Sequence, residues 1–165
     1  MPLSLVRIDD RLVHGQVVEG WIPHLKAEVV LVVSDAAAAD ELQRSLMRMA
    51  LPDDIALEVL TVDAAARHPA FQQGFSKRVL VLAPGPQEVL RLAELGAPLS
   101  RVNVGGLHYT AGKVQLGKAI YLSEGDRRAL IGLSRRGIRL EGRAVPSERE
   151  TDLMDVLGAH TEGHA

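Results

Sequence analysis

Short apolar runs recur along this chain, separated by stretches with a different period. Leu3 to Ile8, Glu28 to Val33, Leu57 to Val62, Arg78 to Leu82, Arg101 to Val104, Ala119 to Leu122 and Ile138 to Gly142 are rich in Val, Ile and Leu and predict strands. Between them, Ala36 to Ala50, Gln87 to Leu95 and Glu124 to Arg135 carry helical composition and spacing. Strand and helix therefore alternate. That order predicts an α/β domain with an open, mostly parallel twisted sheet and helices on both faces, because parallel neighbours need crossover connections.

Punctuation agrees with this reading. Ser34-Asp35 suits the start of the helix near Ala36, and Ser123 with Asp126 suits the start of a later one. Pro84-Gly85-Pro86 ends a strand and opens a helix, while Gly96, Gly137 and Gly158 stand where helices should stop. No repeat or low-complexity linker divides the chain. Residues 1–165 read as one domain with a frayed tail from about 158.

Composition narrows the function. With 165 residues and 47% hydrophobic content, the chain can bury a sizeable core. A formal net charge of −2 and only one Trp, two Tyr and two Phe argue against nucleic acid as a partner. The absence of Cys removes disulfides and thiolate chemistry and is compatible with a reducing compartment. No apolar run approaches the ~20 residues that span a bilayer, and the N-terminus lacks a signal-peptide layout, so the expectation is a cytoplasmic protein.

The chemistry concentrates in Arg7-Ile8-Asp9-Asp10-Arg11-Leu12-Val13-His14-Gly15-Gln16, where two carboxylates, two guanidiniums and an imidazole follow the first strand. In an open α/β sheet, ligands bind beyond the carboxyl ends of the strands. An imidazole there is both a nucleophile and a leaving group near neutral pH, which suits a reversible phosphoryl carrier. Asp9, Asp10 or a backbone carbonyl are the candidates for holding its other nitrogen, and Arg11 can fork to phosphate oxygens. Without further context, Asp10 equally reads as a helix cap, Arg7 and Arg11 as ion-pair partners of Asp9 and Asp10, and His14 as a polar residue of the first turn.

Other motifs carry less. Asn103-Val104-Gly105-Gly106 reads as a glycine turn after a strand, with backbone N–H groups able to face an anion. Gly112-Lys113 is no P-loop, since Leu107 stands where its first glycine belongs and Val114 replaces Ser or Thr. Gly15 and Gly20 have the wrong spacing for a dinucleotide fingerprint. His24, His68, His108, His160 and His164 form no ligand set, so no metal is expected, although His108 falls near the glycine pair. Arg127, Arg128, Arg135, Arg136, Arg139 and Arg143 make the last third basic, as a solvated face or a docking patch.

The run Arg7 to Val17, together with Val32-Val33-Ser34-Asp35, Val102-Asn103-Val104-Gly105-Gly106-Leu107 and Gly112-Lys113, resembles the enzyme IIB subunits of the mannose/fructose/sorbose family of the bacterial sugar phosphotransferase system (PTS). The resemblance runs through the whole chain in order. It implies that His14 accepts a phosphoryl group from the phosphohistidine of a IIA protein, through the δ nitrogen, and passes it to sugar bound by membrane IIC and IID subunits. Arg11 then stabilises the phosphoryl group, Asp9 and Asp10 shape the loop and orient the imidazole, and Gly15, Gln16, Gly105 and Gly106 lie at the phosphate. No cofactor is implied, and any membrane association runs through partners. Leu12, Val13 and Trp21 are candidates for the rim of a docking face, with Trp21 equally suited to the core. A regulatory interaction module using the same histidine, without sugar transport, is the alternative.

Overall fold

The structure, a computed structural model, describes residues 3–117 and 120–162. Strand β1 (Leu3–Asp9) leads through the charged loop into a helical run whose middle, Val17–Trp21, winds as π-helix before α1 (Ile22–Leu25). There follow β2 (Val29–Val33), α2 (Asp35–Ala38), α3 (Glu41–Ala50), β3 (Ala56–Leu60) and α4 (Val62–Ala66). A 3₁₀ turn (Pro69–Phe71) precedes β4 (Val79–Ala83) and α5 (Pro86–Glu94). The rest comprises β5 (Arg101–Gly106), β6 (Val114–Gly117), β7 (Ile120–Leu122), α6 (Glu124–Arg135), β8 (Arg139–Gly142), β9 (Thr151–Asp152) and α7 (Leu153–Glu162).

Among the described residues, seven strands form one sheet in the order β3-β2-β4-β1-β5-β8-β9, parallel except where β9 meets β8. The small antiparallel pair β6–β7 stands apart from it. β2 and β4 are buried at every position, as expected of parallel strands covered on both sides. Alternation sorts their side chains. Val29, Leu31, Val33, Val79 and Val81 pack with Val89, Leu92, Leu130 and Leu133 of α5 and α6 on one face. Val30, Val32, Leu80 and Leu82 pack with Val17, Trp21, Ile22 and Met47 on the other. The chain leaving β1 therefore turns to one face and the chain leaving β4 to the other. This parting opens a crevice at the carboxyl ends of the central strands.

The structure changes several expectations. The single helix predicted over Ala36 to Ala50 is two helices, because Asp40 breaks off as a new N-cap and accepts from the Gln43 amide at 3.0 Å. Thr61 does the same for α4, which ends the strand predicted to run to Val62 at Leu60. β5 continues through Gly105 and Gly106, so these glycines close a strand and do not form the turn after it. In place of a frayed tail from 158, α7 continues through Gly158 to Glu162 and anchors Leu153 and Leu157 in the core. Residues 163–165, with His164, lie outside the described residues, as does Ala119 of the predicted strand. No helix among the described residues is long and apolar enough to cross a membrane.

Candidate active site

Alternation along β1 sends Val6 and Ile8 into the larger core and aims Leu5, Arg7 and Asp9 at the opposite face. Arg7 and Asp9 are fully buried there. An isolated buried charge is too costly to persist, and Arg7 is held by four acceptors. Its Nη2 donates to Asp9 Oδ2 at 3.1 Å and to the Ala144 carbonyl at 2.8 Å. Its Nη1 donates to Asn103 Oδ1 at 2.6 Å and to the Arg143 carbonyl at 2.9 Å. The Trp21 ring covers it, with the guanidinium carbon 4.9 Å from the ring centroid, and the indole N–H donates to the Ala144 carbonyl at 3.0 Å. Burial pushes the Arg7 guanidinium below its ordinary value, and the neighbouring Asp9 carboxylate opposes that shift.

Gly105 is part of this arrangement. A Cβ placed there would lie 1.9 Å from the Arg7 guanidinium carbon, so only glycine leaves room for the side chain. Pairing register extends the polar row across the sheet. Arg7 lies opposite Asn103, and Asn103 opposite Glu141, whose carboxylate accepts from Asn103 Nδ2 at 3.4 Å.

Asp9 carries this support to the histidine. Its Oδ2 accepts from His14 Nε2 at 2.8 Å, while Oδ1 accepts from the Arg11 backbone N–H at 3.1 Å. A carboxylate can only accept, so Nε2 carries a proton, and in the neutral form of the ring the lone pair is left on Nδ1. The loop reaches this geometry through a tight turn in which the Leu12 N–H donates to the Asp9 carbonyl at 3.0 Å. Leu12 adopts a left-handed backbone (φ 57°), strained for a branched residue and held by the burial of its side chain. Beyond it, the His14 carbonyl accepts from both Val17 and Val18, opening the helical run that becomes π-helix at Val17–Trp21. His14 retains 14% side-chain exposure, enough for an edge of the ring to be reached.

The sequence-predicted residues divide as follows. Asp9 holds the imidazole. Asp10 does not: both its oxygens go to His108, because the turn at Asp9–Leu12 points successive side chains apart. Arg11 is exposed beside the site and donates to Gln16 Oε1 at 3.2 Å. Gly15 is exposed, and the Gly106 carbonyl accepts from the Asp10 N–H at 2.9 Å. Arg7 and Asn103 stood in the predicted motifs without a role at the site, and the Arg143 and Ala144 carbonyls had no signal in the sequence. Of the expected docking rim, Leu12 and Trp21 are buried and Val13 half-buried. Leu42, Leu46 and Met49 of α3 are exposed instead, as are Leu95, Tyr109 and Val114 elsewhere. Asp10 and Leu12 also line a cleft of about 490 Å³ with Ser34, Asp35, Gln87 and Arg91, at the carboxyl ends of β1, β2 and β4.

This geometry can be set beside known proteins. A family model described as the PTS system sorbose subfamily IIB component matches residues 3–165. The chain is 36% identical over 157 residues to the PTS system mannose-specific EIIAB component of Escherichia coli strain K12, covering 95% of this chain and 49% of that protein. It thus spans about half the length of that relative. It is 33% identical over 159 residues to the PTS system fructose-specific EIIB component of Bacillus subtilis strain 168, covering 95% and 96% of the two chains. The crystal structure of the IIBSor domain of the sorbose permease from Klebsiella pneumoniae superposes with a TM-score of 0.87 at 31% identity, over 96% of this chain and 98% of that one.

Proposed function

Because the chain belongs to the sorbose-type IIB components of the sugar phosphotransferase system, whose general role is phosphoryl transfer in sugar uptake, we propose that His14 is its phosphoryl carrier. The observation that carries this reading is the 2.8 Å contact between His14 Nε2 and the buried Asp9 carboxylate. It fixes the tautomer whose Nδ1 lone pair is available for attack. In the forward step Nδ1 bonds to the phosphorus of a phosphohistidine on a IIA protein, and the P–N bond to the donor imidazole breaks. In the next step the oxygen of a sugar hydroxyl held by membrane IIC and IID subunits bonds to the phosphorus, the P–Nδ1 bond to His14 breaks, and the hydroxyl proton is lost to the released imidazole or to water.

The transferring group passes through a loose, metaphosphate-like state, so alignment and charge compensation supply most of the rate. Asp9 aligns the ring, and Arg7 holds Asp9. Arg11 is the exposed cation that meets the phosphoryl oxygens, with the backbone of Gly15 and Gln16 beside it and Gly105 and Gly106 beneath the loop.

The test is incubation with phosphoenolpyruvate, the general phosphotransferase proteins and a phosphorylated IIA from the same genome, read by intact mass and acid lability. An acid-labile phosphoryl adduct on the wild type and none on His14→Ala is expected, with Arg11→Ala labelled more slowly. A wild type left unlabelled by that IIA would overturn the proposal.

A further inference from the structure

A second imidazole lies against the same loop and has no part in the steps above. His108 follows β5 after Leu107. Its backbone N–H donates to Asp10 Oδ2 at 2.6 Å and its ring Nδ1 to Asp10 Oδ1 at 2.5 Å. One residue thus grips both oxygens of a carboxylate 98 positions earlier in the chain. The Asp10 N–H in turn donates to the Gly106 carbonyl at 2.9 Å. Three bonds therefore join Asp10, the first residue past β1, to the last residue of β5 and to His108 just beyond it. The attachment continues, since Lys113 Nζ donates to the His108 carbonyl at 3.1 Å and lies 4.0 Å from the Asp126 carboxylate. Asp126 is the residue that closes the capping box of α6 with Ser123.

The His108 side chain is 52% exposed and that of Asp10 27%. A pair this open to water adds little to stability, too little to make it a device for holding the fold. Its effect is local. Asp10 sits inside the turn between Asp9 and Leu12, so fixing Asp10 fixes the direction in which the next residues, Arg11 and His14, are presented. The grip also occupies a carboxylate that would otherwise be free to swing toward Arg11 and repel an incoming phosphoryl dianion.

We propose that His108 is a positioning residue for phosphoryl transfer, holding Asp10 so that the turn presents His14 and leaves Arg11 to the phosphoryl group. This rests on the reading of His14 as the carrier. The two are separated by measuring single-turnover transfer from phosphorylated IIA, across IIA concentrations, in wild type, His108→Ala, His108→Asn, Asp10→Asn and the double variant His108→Ala/Asp10→Asn. Asparagine places an amide nitrogen where Nδ1 stands, whereas alanine keeps only the backbone bond.

His108→Ala should lower the maximal rate about tenfold, within the ~100-fold that a 1 Å misplacement costs, with the half-saturating IIA concentration little changed. His108→Asn should recover most of the rate, and the double variant should be no slower than the slower single variant. A wild-type rate in His108→Ala, an equal loss in His108→Asn, or additive losses in the double variant would each overturn the inference while leaving the carrier intact. A wild type that takes no label removes both.

Discussion

Asp9 is one carboxylate with three donors, and the identity of each bond matters to the chemistry. Asp9→Asn keeps the shape, but its amide nitrogen can donate to His14 Nε2, which then accepts and moves the ring proton to Nδ1. The nucleophilic lone pair is lost with little change in packing. Transfer to His14 should fall by ~10⁴-fold, the scale seen when a carboxylate that fixes a catalytic imidazole is replaced by its amide. Stopped-flow transfer from phosphorylated IIA checks this, and a rate within threefold of wild type would refute the tautomer argument. Much of this site was legible in the sequence, because Asp9, Arg11 and His14 lie within six residues. Arg7 was visible but its role was not. A strand covered on both faces has no exposed side for Arg7, and the distant partners that make its burial tolerable, Asn103 and the Arg143 and Ala144 carbonyls, lie some 96 to 137 residues away in the chain. The available signal was a polar residue at an inner position of each of three strands, Arg7 in β1, Asn103 in β5 and Glu141 in β8.

The elements of the sheet read clearly from sequence because they are runs of branched aliphatic residues, and the helices that flank them were found wherever an apolar face repeated. What failed were elements whose identity depends on a tertiary partner. Asp40 and Thr61 could have been loop residues as easily as caps, and Gly105 looked like a turn because the guanidinium it accommodates is distant in sequence. The π-helical turn after the loop likewise has no periodic signature, being marked by the Ile22 N–H reaching five residues back to the Val17 carbonyl. Gly105→Ala tests the strand–guanidinium fit at this scale. The four hydrogen bonds on Arg7 leave it no route of retreat, so overpacking should cost about 3 kcal/mol by urea unfolding. Gly15→Ala, where a new Cβ meets nothing within 4 Å, should change stability by no more than about 0.5 kcal/mol. Equal effects from the two would show that Arg7 can move aside.

Across the whole molecule, the polar row Arg7, Asn103 and Glu141 ends at a carboxyl that makes stability depend on pH. Burial pushes Glu141 up from the ordinary carboxylate value, the hydrogen bond it shares with Glu150 adds to the shift, and Arg101 at 3.8 Å opposes it. The folded chain therefore keeps this proton to higher pH than the unfolded chain does. Its contribution is complete below the unfolded carboxyl range, about 4.3, and declines as pH rises through the folded value. Glu141→Gln cannot ionise and can still accept from Asn103, so its Tm should gain on the wild type as pH is raised from about 5 to 8. A gap between the two Tm values that stays constant over that interval would refute the assignment. The same row has a consequence for synthesis. Two of the carbonyls that receive Arg7 lie 136 and 137 residues downstream of it. At ~5–20 residues per second, a ribosome needs roughly 7–27 s to make that stretch. Throughout that interval the nascent chain already displays its histidine but lacks the far wall of the cradle that steadies Asp9. The geometry that steadies Asp9 therefore closes only once Arg143 and Ala144 have been made, however much of the sheet is already in place.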